Sequence, residues 1–140
     1  WRLAPSGAPW TTLGTENTHP NGTNSAPNEE HWTIRRWVAT VDGPTDIRVY
    51  WRHRATNTSG DGTTGAIHLN GQRIDSVAIS DGVGETRAYY LRVENGDTID
   101  QVVTPVGVSG NRIDGSDGSA SWMRIDTRIP AVPIQPDGKY

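Results

Sequence analysis

The sequence contains no cysteine. That excludes a disulfide framework and any zinc site built on thiolates. It leaves the compartment open, because an exported domain need not carry disulfides. Phenylalanine is also absent, and the aromatic set is 6 Trp and 4 Tyr. Each of these rings joins an apolar face to a polar tip, which suits half-wet recognition surfaces. With no Phe to fill the interior, some of them must still be core. Lysine occurs once, at Lys139, so the other basic residues are all Arg. A GC-rich genome would explain that bias, and so would planar, forked recognition of carboxylate or sulfate. The formal charge is -3, which supplies no basic surplus for nucleic-acid binding. No apolar run reaches the ~18 residues of a membrane span. Missing too are a convincing 3.6-residue apolar repeat, an internal repeat of fixed period, a G-x-S-x-G elbow and a Walker loop. The chain opens Trp1-Arg2-Leu3-Ala4-Pro5 with no signal-type segment, which reads as a processed product or an excised domain.

What is present is a succession of short strand patterns. The 140 residues suffice for one core and not comfortably for two. Residues 5–31 are rich in Pro, Gly, Asn, Thr and Ser and read as a long loop or a strand broken by loops. Asn21 and Asn57 each begin an N-x-[ST] sequon. From His31 to Ala39 the pattern alternates, with Trp32, Ile34, Arg36 and Val38 on one parity and Arg35 and Trp37 on the other. After Asp42-Gly43-Pro44, residues 45–54 alternate cleanly: Ile47, Val49 and Trp51 one way, Arg48, Tyr50, Arg52 and Arg54 the other. Strands are expected again at 66–69, 73–79, 86–93, 98–103 and 119–129. Asn70-Gly71 between two of these runs is a strong hairpin signal, because both central residues of a type I′ turn need positive φ. The expected fold is an all-β antiparallel sandwich or jelly roll of about eight strands over residues 1–129. Residues 130–140 hold three prolines and no periodicity, and read as a linker or tail.

The runs Arg35-Arg36-Trp37, Asp42-Gly43, Asp61-Gly62, Ile67-His68-Leu69-Asn70-Gly71, Tyr90-Leu91-Arg92-Val93 and Gly96-Asp97-Thr98-Ile99-Asp100 form one pattern over residues 19–129. It resembles the non-catalytic jelly-roll carbohydrate-binding modules of large secreted bacterial proteins and glycan-processing enzymes. The resemblance implies the fold, an extracellular, cell-surface or periplasmic setting, covalent neighbour domains and a glycan partner. It transfers no binding residue. Gln101 departs from it, since such modules carry a large apolar residue there. That departure predicts a partly wet face or a shifted register.

Several constellations could carry chemistry. Arg48, Tyr50, Arg52 and Arg54 share a strand face. Guanidinium groups read carboxylate or sulfate through paired hydrogen bonds, and a Tyr between them offers a face to the apolar side of a pyranose. The plainer reading is a solvated face whose arginines pair across strands with carboxylates such as Asp75 or Glu94. Trp10 and Trp122 lie beside loop-rich segments, where they could stack on glycan or plug the sandwich ends. Asp114 and Asp117, on the Gly/Ser loop 114–119, could gather oxygen ligands for Ca²⁺, with Asp61 or Asp97 as a third carboxylate. Equally, Asp, Gly and Ser are ordinary turn residues. His19, His31, His53 and His68 show no metal-ligand spacing. Glu16, Glu29, Glu30, Glu85 and Glu94 all fall in loops or turns, so no facing carboxylate pair for glycoside hydrolysis is evident.

The expectation is therefore a non-catalytic carbohydrate-binding module that requires no cofactor, with acidic polysaccharide as the candidate ligand. Its ligand residues would be Arg48, Tyr50, Arg52, Trp10 and Trp122. A structural spacer or protein-interaction domain is the alternative, and a small polysaccharide lyase or hydrolase the third reading. Nothing points to an obligate dimer.

Overall fold

The computed structural model describes residues 1–128. These hold nine strands: β1 (Thr12–Leu13), β2 (Asn17–His19), β3 (Thr33–Val38), β4 (Thr45–Ala55), β5 (Thr63–Leu69), β6 (Gln72–Ile79), β7 (Glu85–Val93), β8 (Thr98–Thr104) and β9 (Ser119–Asp126). The expected tail at 130–140 and the expected strand end at Ile129 lie outside the described residues. No helix among the described residues is long and apolar enough to cross a membrane.

The strands form two antiparallel sheets, ordered β1-β2-β9-β4-β7 and β3-β8-β5-β6. Within them β2 pairs β9, β3 pairs β8, β4 pairs β7 and β5 pairs β6. That is one long antiparallel ribbon wound over itself, with the β5–β6 hairpin at its tip. The fold is thus the expected jelly roll. The tip turn is Asn70-Gly71, whose φ values of 51° and 79° match the positive-φ requirement of its turn type. The ninth strand comes from the N-terminal segment, where β1 and β2 make a short hairpin against the start of β9.

Alternation decides which side chains enter the space between the sheets. Ile47, Val49 and Trp51 are fully buried, while Arg48, Tyr50, Arg52 and Arg54 face outward. In β3 the apolar parity is misleading. Trp37 packs on the core, whereas Ile34 and Val38 are 46% and 49% exposed. The charged neighbours settle that register. Arg36 reaches sideways to a bidentate pair with Asp100 of β8, both contacts at 2.7 Å. Arg35 turns the other way, donating to Ser121 Oγ at 2.8 Å and to the Gly14 carbonyl at 2.9 Å.

The interior has two chemically distinct halves. Around Ile47, Val49, Trp51, Ile67, Val93 and Ile99 it is apolar. Each such side chain contributes roughly 1.5–3 kcal/mol on burial. Toward the β2–β3, β4–β5 and β8–β9 loops it is polar. There Thr18 bonds Thr33, and Thr63 Oγ1 lies 2.9 Å from His53 Nε2 and 2.6 Å from Ser119 Oγ. The His53 ring lies so close to Gly65 that a Cβ at 65 would sit 2.7 Å from its Cγ, which requires glycine inside this strand. Burial, opposed by the contact to Thr63, lowers the His53 pKa to about 4.

Gln101 corrects the expectation of a wet face. It is 1% exposed, and its Nε2 donates to the Arg52 carbonyl at 3.2 Å and the Trp122 carbonyl at 2.9 Å. Those residues are cross-strand partners in the opposing sheet. A polar residue is accommodated here because its amide finds two acceptors across the sandwich, so the face is dry and the side chain pins sheet to sheet.

Candidate functional site

The outer face of the five-stranded sheet is where the arginine stripe lies. Register places Arg48 between Tyr90 and Asp126, Tyr50 between Ala88 and Arg124, and Arg52 between Thr86 and Trp122. The Arg48 guanidinium stands 4.3 Å from the Tyr50 ring centroid and 5.7 Å from that of Tyr90. It also donates to the Tyr90 hydroxyl at 3.1 Å. Arg124 covers Tyr50 as well, at 4.7 Å. Tyr50 is thus a pedestal between two cations, each contact worth about 0.5–1 kcal/mol at such a half-exposed position. Its ring is engaged by arginines, and the openly exposed ring of the stack is Tyr90, at 58%.

Charge on this face runs against that of the whole chain. Asp46, Arg48, Arg52, Arg54, Arg92, Arg124 and Asp126 share it, so five guanidinium groups meet two carboxylates. Asp46 is taken up by Arg92 at 3.2 Å, and Asp126 by Arg124 at 2.8 Å, with Arg48 3.8 Å away. Arg52 donates to the Val83 carbonyl at 3.0 Å and pairs with no carboxylate among the described residues. The suggested partner Asp75 does not reach this stripe. It is bound by Arg87 at 2.7 Å, and Glu94 lies in the β7–β8 turn.

Of the two rim tryptophans, Trp122 joins the stripe as the neighbour of Arg52, half-buried. Trp10 does not. It sits by the β1 edge, its backbone N–H donating to Asn21 Oδ1 at 2.9 Å and its ring under the Arg2 guanidinium at 5.6 Å. Arg124 and Tyr90 were not singled out from sequence. Arg124 alternates in phase with Trp122, but only the β4–β9 register reveals that it meets Tyr50.

A second cluster lies at one end of the sandwich. The short β3–β4, β5–β6 and β7–β8 turns gather at the opposite end, where Asn70 Nδ2 donates to Asp97 Oδ1 at 2.8 Å and Asp97 accepts the Glu94 N–H at 2.7 Å. These bonds, the Glu94 N–H first, hold the Asp97 pKa below the usual carboxylate value. Asp97 therefore cannot be the third carboxylate of the Asp114/Asp117 loop. Asp61 can, because the β4–β5 and β8–β9 loops interlock: Gly118 O accepts Thr56 N–H at 2.8 Å, and Asp61 O accepts Val108 N–H at 2.9 Å. The Asp61 carboxylate occupies the place where a Cβ on Gly107 would sit, so residue 107 must be glycine for it to fit.

Asp114 is satisfied in place, accepting Gly22 N–H at 3.1 Å and the Ser25 hydroxyl at 2.8 Å, which ties the β2–β3 loop to the cluster. Asp117 is 0% exposed, and neither carboxylate oxygen has a hydrogen-bond partner among the described residues. Burial first, then the charges of Asp61 and Asp114, push its pKa up to about 8. Among the described residues no three His, Cys, Asp or Glu side chains form a ready metal cluster. No protein-family model matches the chain, and no curated protein matches it.

Proposed function

We propose that this domain is a non-catalytic carbohydrate-binding module of an exported multidomain protein, and that its five-stranded outer face takes an acidic polysaccharide. The observation that carries the reading is the Arg48–Tyr50–Arg124 stack with Arg52 and Trp122 beside it. A net-negative chain has gathered a cationic surplus on one sheet face, interleaved with aromatic rings. Tyr50 fixes the directions of two guanidinium groups, which lowers the entropy lost when they engage a uronate or sulfate. Tyr90 and Trp122 flank them with ring surface for the apolar side of a sugar. The module would hold a catalytic neighbour on its substrate and raise local concentration.

The test is titration calorimetry of the domain against a uronate-rich, a sulfated and a neutral polysaccharide at two salt concentrations. Binding to the acidic glycans, weakened by salt and lost in Arg48→Ala with Tyr50→Ala, is the expected result. An unchanged affinity in that double variant would falsify the platform. A structural or protein-binding role is the second reading, favoured by the exposed apolar side chains of Trp32, just before edge strand β3, and of Ile34 and Val38 on it. Absence of binding to all three glycans would move the assignment there.

A further inference from the structure

We propose that Asp117 and Asp61, where the β8–β9 and β4–β5 loops meet, bind a divalent cation of the calcium class. The inference is independent of any glycan on the sheet face.

The starting point is a buried carboxylate with nothing to bond. Asp117 is fully enclosed, and neither of its oxygens finds a donor among the described residues. As an anion it bears a large desolvation penalty that no hydrogen bond offsets. Protonation does not resolve the problem, because the acid O–H would then lack an acceptor and the second oxygen a donor. A cation beside the two oxygens removes both difficulties. It also reverses the sign of the neighbouring field: Asp61 and Asp114, which repel an ionised Asp117, become favourable contributors to a bound cation.

The surroundings narrow the kind of cation. The groups at hand are oxygens: the carboxylates of Asp61 and Asp117 and the carbonyls of the glycine-rich loop, with Gly115 O lying 2.6 Å from where a Cβ on Gly60 would sit. No cysteine exists in the chain, and the nearby His53 nitrogen Nε2 is engaged by Thr63. Oxygen-only ligation selects hard cations, and irregular loop carbonyls suit the six to eight flexible ligands of Ca²⁺ better than the strict octahedron of Mg²⁺. Asp114 contributes differently. Its oxygens are already committed to Gly22 N–H and Ser25 Oγ, so it orients the β2–β3 loop and adds negative field.

A cation here would add an ionic cross-link between two loops that already meet through backbone bonds and through the Ser109 hydroxyl, which donates to Asp61 Oδ2. The experiment is calcium titration by calorimetry, paired with thermal unfolding, on the chelator-stripped domain near pH 7.5. The expected result is one site per chain, a melting temperature that rises with CaCl₂, and a smaller effect of MgCl₂. Asp117→Asn should abolish the rise. Asp61→Asn, on a half-buried loop residue, should weaken binding by roughly tenfold or more and keeps the test available if the first variant does not fold. Asp46→Asn, on the sheet face, should bind as the parent does. No heat and no shift in melting temperature up to about 10 mM Ca²⁺, beyond the weakest extracellular calcium modules, would overturn the proposal. So would Asp61→Asn and Asp117→Asn variants that both bind calcium with undiminished affinity.

Discussion

Two buried groups titrate in opposite senses, and the stability of the cation-free domain against pH should carry both signatures. His53 is folded with a pKa of about 4 against a usual 6.5. Between those values the unfolded chain binds a proton that the native state refuses, so stability rises with pH through this window and is lost as pH falls through it. The difference is worth about 3 kcal/mol at 1.36 kcal/mol per pKa unit. Asp117 is the reverse. Its folded pKa of about 8 lies above its usual 3.8. Between them the native state holds a proton that the unfolded chain has released, so stability falls as pH rises, by about 6 kcal/mol in all. His68, lowered chiefly by burial, acts with the sign of His53. Asp97, lowered by its hydrogen bonds, acts only below the window.

From pH 4 to 6.5 the two main slopes oppose, and urea unfolding in chelator should give a nearly level profile. From pH 6.5 to 8 Asp117 acts alone, and stability should drop by about 2 kcal/mol. Asp117→Asn should convert the level limb into a rise of about 3 kcal/mol and remove the later drop. His53→Gln should expose a continuous fall from pH 4 to 8. Saturating Ca²⁺ should abolish the alkaline drop in the parent, because the cation competes with the proton. If Asp117→Asn retains the drop, or His53→Gln stays level below pH 6.5, the assignment of the two groups is wrong.

Replacing Gln101 with Leu should cost about 1–2 kcal/mol in urea unfolding, since two carbonyls of the opposing sheet lose a donor; equal or greater stability would show that the amide is no pin. Removing Arg87 leaves the Asp75 carboxylate, 13% exposed, without its partner, whereas Arg92 and Asp46 are 66% and 68% exposed. Arg87→Ala should therefore lower the melting temperature well beyond Arg92→Ala, which should cost under about 1 kcal/mol; equal effects would refute a structural role for the Arg87 bridge.

The strands legible in the sequence were those whose two faces meet different media. β4 alternates between core and solvent over its whole length, and its buried and outward sets were read correctly. β3 was harder, because as an edge strand it shows apolar side chains to solvent and turns Arg35 inward at the rim. Periodicity reports alternation there without saying which parity is inside. β5 begins three residues earlier than its apolar run suggests, because Thr63 and Gly65 face a histidine ring and a hydroxyl instead of a hydrocarbon. Tertiary demand overrides strand propensity at such positions. The arginine stripe was legible as one strand's face. Its partners were not, since Arg124 and Tyr90 arrive through pairings of β9 and β7 with β4 that only the wound ribbon sets.

The same winding explains why the cluster of carboxylates stands where it does. In a ribbon folded over itself, short turns collect at one end and the longer connections at the other. The apolar half of the core extends toward the turn end, where Ala39 N–H bonds Asp97 O and the chain reverses in few residues. Under the long loops the core changes to Thr18, Thr33, His53, Thr63, Ser119 and Gln101, whose hydrogen bonds are directional where hydrocarbon contacts are not. Directional bonds fix loop roots in angle as well as position, which an oxygen-ligated ion site demands and a merely greasy interior does not supply. Asp117 is two residues from Ser119, whose hydroxyl donates to the Asp117 carbonyl at 3.1 Å, so the polar half of the core is continuous with the buried carboxylate. An apolar substitution at Ser119 or Thr63 should accordingly disturb cation binding at Asp117 before it unfolds the domain.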